Sequence, residues 1–272
     1  MKKISFTQLE KEAGIVRHKI LELIVSANAS HIGSAFSCTD ILVYLYFRFL
    51  NISNKNINKK NRDRFILSKG WAVSALYVTL WRKGIISKKL LETYCKDGSK
   101  LVGVSTRNGV PGIEATTGSM GHGLPVGVGM AFAAKLRKQS HRIVVLISDG
   151  ECDEGSTWEA VLQAGHLKLD NLLVVVDANK WQSFGRVSEV LDLTPFAQKW
   201  QAFNWEVEEV NGHSFLEIEE ALKKFPFSKN KPSVLIANTV KGKGVSIFED
   251  KNKWHYQTPR GADLETAREE LS

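Results

Sequence analysis

Three features are scarce or missing in this sequence of 272 residues. Its only cysteines, Cys38, Cys95 and Cys152, lack the spacing of disulfide pairs or metal sites, which favours a reducing, cytoplasmic location. No apolar run approaches the roughly 20 residues that cross a membrane. Residues 1–10 begin with basic side chains but contain no apolar stretch or cleavage site, so we expect no signal peptide.

Positive charge is in excess, with a formal net charge of +8. A basic chain can indicate a nucleic-acid partner. Here the lysines are spread over 53–62, 86–100, 223–231 and 241–253, rather than gathered in one stripe. The sequence therefore predicts no nucleic-acid partner and no membrane partner, although a basic surface also attracts phosphorylated small molecules.

Helical patterns alternate with short strands that are apolar on both faces. This alternation predicts an α/β fold, with a mostly parallel sheet and helices on both of its faces. We predict a single domain over 1–272 with a polar C-terminal tail, and functional loops in the Gly-, Ser- and Thr-rich stretch 99–125. The predicted helices cover 7–27, 39–50, 71–83, 87–96, 120–137, 153–166 and 214–224, and the predicted strands cover 64–67, 142–147, 171–177, 204–209 and 232–238.

Two polar tripeptides follow two of these strands. Asp149 comes just after the strand that ends at Ile147, and Asn179 comes just after the next predicted strand. Ligands of parallel sheets bind at the carboxyl ends of strands, so Asp149 and Asn179 can share one ion if the strands are neighbours. A carboxylate and an amide carbonyl suit Mg²⁺ or Ca²⁺, and a bound diphosphate would supply further oxygens. Gly150 would allow close approach of the backbone.

These residues also have a simpler interpretation. Asp149-Gly150 is a common turn sequence, and Asp153 is a common residue at the start of a helix. The pair alone therefore does not decide between a turn and a metal site.

A longer string around these strand ends is more specific. It closely resembles the thiamine diphosphate signature of transketolases, in which Gly-Asp-Gly is followed by an Asn; here Asn179 stands thirty residues after Asp149. The similarity extends over nearly the whole chain. The segments that carry it are 148–160 (SDGECDEGSTWEA), 169–172 (LDNL), 177–182 (DANKWQ), 30–34 (SHIGS) with Ser37 and Asp40, 65–70 (FILSKG), 111–114 (PGIE), 117–124 (TGSMGHGL), 211–213 (NGH), 239–244 (TVKGKG) and 254–255 (WH).

The match is to the N-terminal, diphosphate-binding domain, so the chain resembles the small N-terminal subunit of a split transketolase. This resemblance implies the thiamine-diphosphate-binding fold of the PP type, with thiamine diphosphate and Mg²⁺ (or Ca²⁺) as cofactors. It also implies a partner subunit with a pyrimidine domain, an α₂β₂ assembly, and a transferase that moves a two-carbon ketol unit between sugars and works only with that partner.

Carried over residue by residue, the resemblance implies roles for individual positions. Asp149, Asn179 and the carbonyl of Trp181 should bind the metal. His31, His255 and Glu154 should serve catalysis, with Glu154 also contacting its counterpart between subunits. The residues implied in cofactor binding are Gly118, Ser119, Met120, His122, Gly150, Glu151, Asn179 and Lys241.

Structural roles remain open for several of these positions. A lone histidine such as His31 is often structural, and Glu154 could simply favour a helix start. Lys241 could lie in a solvated loop. His213 is predicted to be a structural residue at a strand end.

Two positions depart from the family pattern. Trp71 and Val104 stand where the resembled enzymes have histidines that help to hold the diphosphate and the ketose donor. Valine cannot hydrogen-bond a hydroxyl, and loss of buried donors changes substrate discrimination. Two alternatives follow: transfer of an acetyl unit from an α-keto acid such as pyruvate, or a degenerate cofactor-binding subunit without catalysis.

Overall fold

Five short strands form one sheet in the computed structural model, which describes residues 4–272. The strand order is β1-β2-β3-β5-β4, and all four pairings are parallel. The prediction about residues 1–10 therefore falls partly on residues 1–3, which lie outside the described residues. The strands are β1 (Arg64–Leu67), β2 (Ile143–Ser148), β3 (Leu172–Ala178), β4 (Glu206–Asn211) and β5 (Ser233–Asn238).

Helices connect the strands and cover the sheet. The longest, α1, begins where Ser5 accepts a hydrogen bond from the backbone of Gln8, and it ends at Asn28 in the left-handed region. The helices are α1 (Phe6–Ala27), α2 (Ile32–Ser37), α3 (Thr39–Tyr44), α4 (Val73–Arg82), α5 (Lys88–Leu91), α6 (Gly123–Leu136), α7 (Gly155–His166), α8 (Val187–Val190), α9 (Phe196–Ala202), α10 (Phe215–Leu222) and α11 (Ala262–Glu270).

The two faces of the sheet bury two separate apolar cores. Along β2, Val144 and Leu146 point into a core shared with α1, α3, α4 and α10. The intervening Ile143, Val145 and Ile147 point into a second core with α6, α7 and α9. Successive side chains of a strand face opposite sides, so an apolar strand requires helices on both faces. The predicted fold class is confirmed.

Several boundaries differ from the predictions. The helix predicted over 39–50 continues past Tyr44 as a π-helical turn, and residues 32–37 form a helix that was not predicted. The helix predicted over 87–96 is wrong in length, because it ends at Leu91 and Cys95 takes a left-handed φ of 55°. The predicted polar tail contains α11.

The strand order gathers the polar segments that follow β1, β2 and β3 at one edge. Because β2 lies between β1 and β3, Ser68, Asp149 and Asn179 come from adjacent strand ends. Among residues 4–272, no helix is long and apolar enough to cross a membrane. The carboxyl edge of the sheet is therefore the place to look for a site.

Candidate active site at the carboxyl edge of the sheet

A cavity of about 410 Å³ opens at this edge. Its wall combines the ends of β2 and β3 with the start of α2, the loop before α6 and the segment after β5. Nine of the residues implied by the sequence line it: His31, Gly118, Ser119, Met120, Gly150, Glu154, Asn179, Trp181 and His255.

Asp149 lies immediately behind this wall and is buried. Its Oδ1 accepts a hydrogen bond from Gly150 N at 2.9 Å, and its Oδ2 accepts one from Lys180 N at 2.6 Å. Burial, followed by the neighbouring Asp177 carboxylate, raises the pKa of Asp149 to about 7. A cation near this carboxylate would reverse that shift, because an opposite charge favours the ionised form.

Asn179 is buried at the end of β3 and is turned toward the same cavity. Its Oδ1 accepts a hydrogen bond from Trp181 N at 3.0 Å, which ties the amide to the loop that carries the Trp181 carbonyl. The Trp181 indole donates to Asp250 at 2.7 Å and lies under the Arg186 guanidinium. The loop that would supply the third metal ligand is therefore anchored on both sides.

A buried ion pair supports the floor of the site. Lys69, just after β1, and Asp177, in β3, are both fully buried and paired through Nζ and Oδ2. Asp177 also accepts hydrogen bonds from Ser37 Oγ at 2.6 Å and from the Thr239 hydroxyl. Burial opposes the charge of both partners, but their mutual attraction outweighs it, raising the pKa of Lys69 and lowering that of Asp177. The site floor is thus charged yet internally neutral.

Glu151 is a second buried carboxyl group near the cavity. Its Oε1 accepts hydrogen bonds from Ser68 Oγ and from Gly121 N, the latter at 3.0 Å, whereas its Oε2 has no hydrogen-bond partner among the described residues. Burial raises the pKa of Glu151 to about 7. A buried oxygen without a partner is a position at which a ligand can be recognised.

His31 and His255 form one wall of the cavity. Their ring centroids are 5.1 Å apart in an edge-on arrangement, and Tyr256 packs against both rings. His31 takes a left-handed φ of 70° and its backbone N–H donates to the His255 carbonyl at 2.9 Å. This hydrogen bond couples the loop before α2 to the segment after β5.

Lys241 holds His255 from behind and is itself fully buried. The distance from Lys241 Nζ to His255 Nδ1 is 2.8 Å. Burial, then the positive charge of Lys241, lowers the pKa of His255 to about 3 and that of His31 to about 4. Burial and Lys69 lower the pKa of Lys241 to about 8, so at neutral pH it remains the donor. His255 is then a neutral imidazole with its proton on Nε2.

Replacing Lys241 with methionine should lower kcat/KM for the donor substrate by about 10- to 100-fold, the cost of one hydrogen bond to a charged group. Without Lys241 the imidazole of His255 is free to move its proton to Nδ1. The control is Lys243→Met, which removes a half-exposed lysine paired with Glu249. Equal activity of the two variants would contradict the positioning role of Lys241.

Glycines keep the cavity open beside the diphosphate-type segments. A Cβ on Gly150 would come within 2.8 Å of Gln182 Cγ, and Gly118 takes a φ of +142° that disfavours a side chain. Ser119 and Met120 follow Gly118 as exposed residues of the lining. The backbone here can therefore approach a ligand closely.

Four expected or departing positions lie elsewhere than the cavity wall or bear on it differently. His122 is exposed and precedes α6, and it is not brought to the cavity. Val104 is 44% exposed beside Gly118 and does not line the cavity, whereas Trp71 does. Glu154 lines the cavity at the start of α7.

His213 supports the fold rather than the cavity, as predicted from the sequence. Val240 N–H donates to its Nε2 at 2.8 Å, so its proton is on Nδ1, which donates to Asp40 at 2.7 Å. Asp40 also pairs with Arg17 at 2.6 Å. This network ties α1, α3 and the end of β4 together.

Sequence reasoning missed the Lys69–Asp177 pair and the aromatic rim of Phe184 and Tyr256. One signal was present, because Lys69 and Asp177 both lie at or just beyond the ends of apolar strands. No comparable pattern marks Phe184, which is 88% exposed in a loop.

The similarity to known proteins can be compared with this geometry. A family model described as the transketolase thiamine diphosphate binding domain matches residues 10–272. One of the two named subunits of the apulose-4-phosphate transketolase type, from Phocaeicola vulgatus, is 42% identical over 97% of this chain and 94% of its own length. A 6-deoxy-6-sulfo-D-fructose transketolase subunit of Clostridium sp. is 38% identical over 91% of this chain and 90% of its own length.

Solved structures show the same similarity. The transketolase of Campylobacter jejuni superposes with a TM-score of 0.92 at 30% identity, covering 98% of this chain and 43% of that one. The chain thus spans less than half the length of the whole transketolases it matches, but nearly the full length of the two subunits.

Proposed function

The chain belongs to the transketolase family, and from that premise we propose that it is the diphosphate-binding subunit of a two-subunit transketolase, transferring a two-carbon ketol unit between sugars. The observation that carries the proposal is the cavity at the carboxyl edge, which joins Asn179, Gly150, His31 and His255 in one wall. We also propose that residues 1–272 form one domain. The three free cysteines support a cytoplasmic location.

The residues at the strand ends fit thiamine diphosphate held through a divalent cation. Asp149, Asn179 Oδ1 and the Trp181 carbonyl would supply hard oxygen ligands for Mg²⁺ or Ca²⁺. No group of three or more His, Cys, Asp or Glu residues within 4–272 could hold a metal by itself. Such a ligand set needs further oxygens, and the diphosphate group provides them. Bound thiamine diphosphate supplies the nucleophilic carbon that carries the two-carbon unit.

The remaining cofactor contacts follow from the lining. Gly118, Ser119, Met120 and Gly150 would lie against the cofactor, and the free oxygen of Glu151 would accept a hydrogen bond from it or from an ordered water. His122 stays a prediction that depends on the partner subunit, because in this chain it faces solvent.

The two histidines would act on the substrate as neutral groups. His255 presents an Nε2–H donor, fixed by Lys241, to a carbonyl or hydroxyl oxygen of the sugar. His31, whose Nδ1 lies 2.6 Å from Ser30 Oγ, can donate or accept a proton at its other nitrogen. Glu154 is placed where it could meet a partner chain at the start of α7.

An exposed apolar surface supports the proposal of a partner subunit that carries a pyrimidine domain, in an α₂β₂ assembly. On α6 and α7, Leu136 is 67% exposed and Leu162 is 57% exposed, and Val126 and Phe132 add to the same helices. Apolar patches of this kind mark protein interfaces. Both close relatives described above are named as subunits.

Charges introduced on this surface should prevent assembly. We expect Leu136→Glu combined with Leu162→Glu to abolish complex formation with the partner, measured by light scattering after gel filtration, because each buried carboxylate would lose its hydration. Leu216→Glu is the matched control, since Leu216 is 54% exposed on α10 across the sheet. An intact complex from the double variant would contradict the assigned surface.

The donor test distinguishes the proposal from its alternatives. The chain is purified with the pyrimidine-domain product of the neighbouring reading frame and assayed with xylulose 5-phosphate, apulose 4-phosphate and pyruvate. Turnover of a ketose phosphate supports ketol transfer. Turnover of pyruvate alone would favour acetyl transfer, which Trp71 in the cavity wall motivates. Inactivity with every donor despite bound cofactor would favour a non-catalytic subunit.

A further inference from the structure

A separate cavity lies at the opposite edge of the sheet, where β1 and β2 begin. Its volume is about 320 Å³, within the range of small-molecule sites. Arg64 and Ile143, the first residues of the two strands, line it together with the end of α6 and the loops on either side. This edge is the one away from the carboxyl ends that hold the candidate active site.

Positive charge dominates this cavity. Lys60, Arg64, Arg107 and Arg137 line it against a single carboxylate, that of Glu114. Glu114 is already engaged, with Arg62 at 2.5 Å and Arg64 at 3.8 Å. Among residues 4–272, no ion pair is formed by Lys60, Arg107 or Arg137. The cavity therefore has an uncompensated excess of cationic side chains.

A buried imidazole adds an independent observation. His141 lines the cavity with only 8% of its surface exposed, and its Nδ1 has no hydrogen-bond partner among the described residues. Burial, then the charge of Arg64, lowers the pKa of His141, so the ring is neutral and can carry its proton on Nδ1. A buried N–H without a partner inside a basic cavity is a donor that awaits an anion.

The remaining wall is apolar. Met130, Ala133 and Ala134 of α6 form it, so cationic side chains converge over an apolar floor. A compact phosphate-bearing molecule fits this combination, because guanidinium groups bind phosphate oxygens through paired hydrogen bonds while the floor packs against its carbon skeleton.

We propose that this second cavity binds a small phosphorylated metabolite, held by Arg107, Arg137 and His141, at a site distinct from the one for the cofactor. The site goes beyond the proposed function, since the transfer reaction uses only the carboxyl edge. A ligand there would contact the starts of β1 and β2, the two strands whose far ends carry Ser68 and Asp149.

Inorganic pyrophosphate is the probe for the test. The cofactor-loaded complex is freed of unbound metal and titrated calorimetrically, with thiamine diphosphate content measured before and after. We expect saturable binding without cofactor release, and at least tenfold weaker binding by Arg107→Gln combined with Arg137→Gln. Lys89→Gln combined with Lys96→Gln, which removes the same charge from exposed positions, should bind as the unmodified protein does.

Three results would overturn the proposal. The first is no saturable binding, which includes the case in which the partner subunit fills the cavity. The second is an equal loss in the two double variants, which would show attraction to net charge alone. The third is release of thiamine diphosphate in proportion to the pyrophosphate bound, which would place the probe at the carboxyl edge.

Discussion

Replacing Asp149 with asparagine will weaken metal-dependent binding of thiamine diphosphate by about 100-fold or more, since even residues that only orient metal ligands contribute 10- to 100-fold. Asp149 is the carboxylate of the proposed ligand set, whereas Asn179 and Trp181 offer neutral oxygens. The substitution keeps the side-chain volume and removes the charge. The measurement is cofactor affinity by calorimetry with and without Mg²⁺.

The control for this variant is Asp97→Asn, an exposed carboxylate far along the chain from the strand ends. Thermal unfolding of both variants separates loss of the site from loss of the fold, because Asp149 also accepts two backbone hydrogen bonds. Unchanged affinity and unchanged metal dependence in Asp149→Asn would show that the metal is bound elsewhere.

Replacing Lys69 with methionine will lower the free energy of unfolding by about 3–5 kcal/mol, because it leaves the fully buried Asp177 carboxylate without its cation. The hydrogen bonds from Ser37 and Thr239 remain, but they do not neutralise the charge. Urea unfolding followed by circular dichroism gives the difference.

Two further variants make this second prediction selective. Lys69→Met combined with Asp177→Asn removes both charges and should recover part of the loss. Lys88→Met breaks an exposed pair with Glu92 and should change stability by less than about 1 kcal/mol. If Lys69→Met cost no more than Lys88→Met, the buried pair would not support the site floor.

The fold could be predicted where the sequence pattern is local and periodic. β2 and β3 are apolar at every position that packs, which requires cover on both faces and a parallel sheet. α2 was missed because six residues with Gly33 and two serines have no amphipathic period. Tertiary contacts hold it, such as the hydrogen bond from Ser37 to Asp177.

The site could be predicted only in part for a related reason. Asp149 and Asn179 follow adjacent strands, so their common edge can be deduced from the strand pattern alone. The contact between Lys241 and His255 depends on how the segment after β5 folds back, and no period in the sequence encodes it. His122 shows the converse, since its motif resembles the family but its side chain faces solvent in the single chain.

The most direct test of the central claim is an anomalous scattering map from crystals of the assembled protein grown with thiamine diphosphate and Ca²⁺. The account predicts a peak bound by Asp149, Asn179 Oδ1 and the Trp181 carbonyl at about 2.3–2.6 Å, shared with the diphosphate. A cofactor whose diphosphate and metal lay away from the ends of β2 and β3 would contradict it.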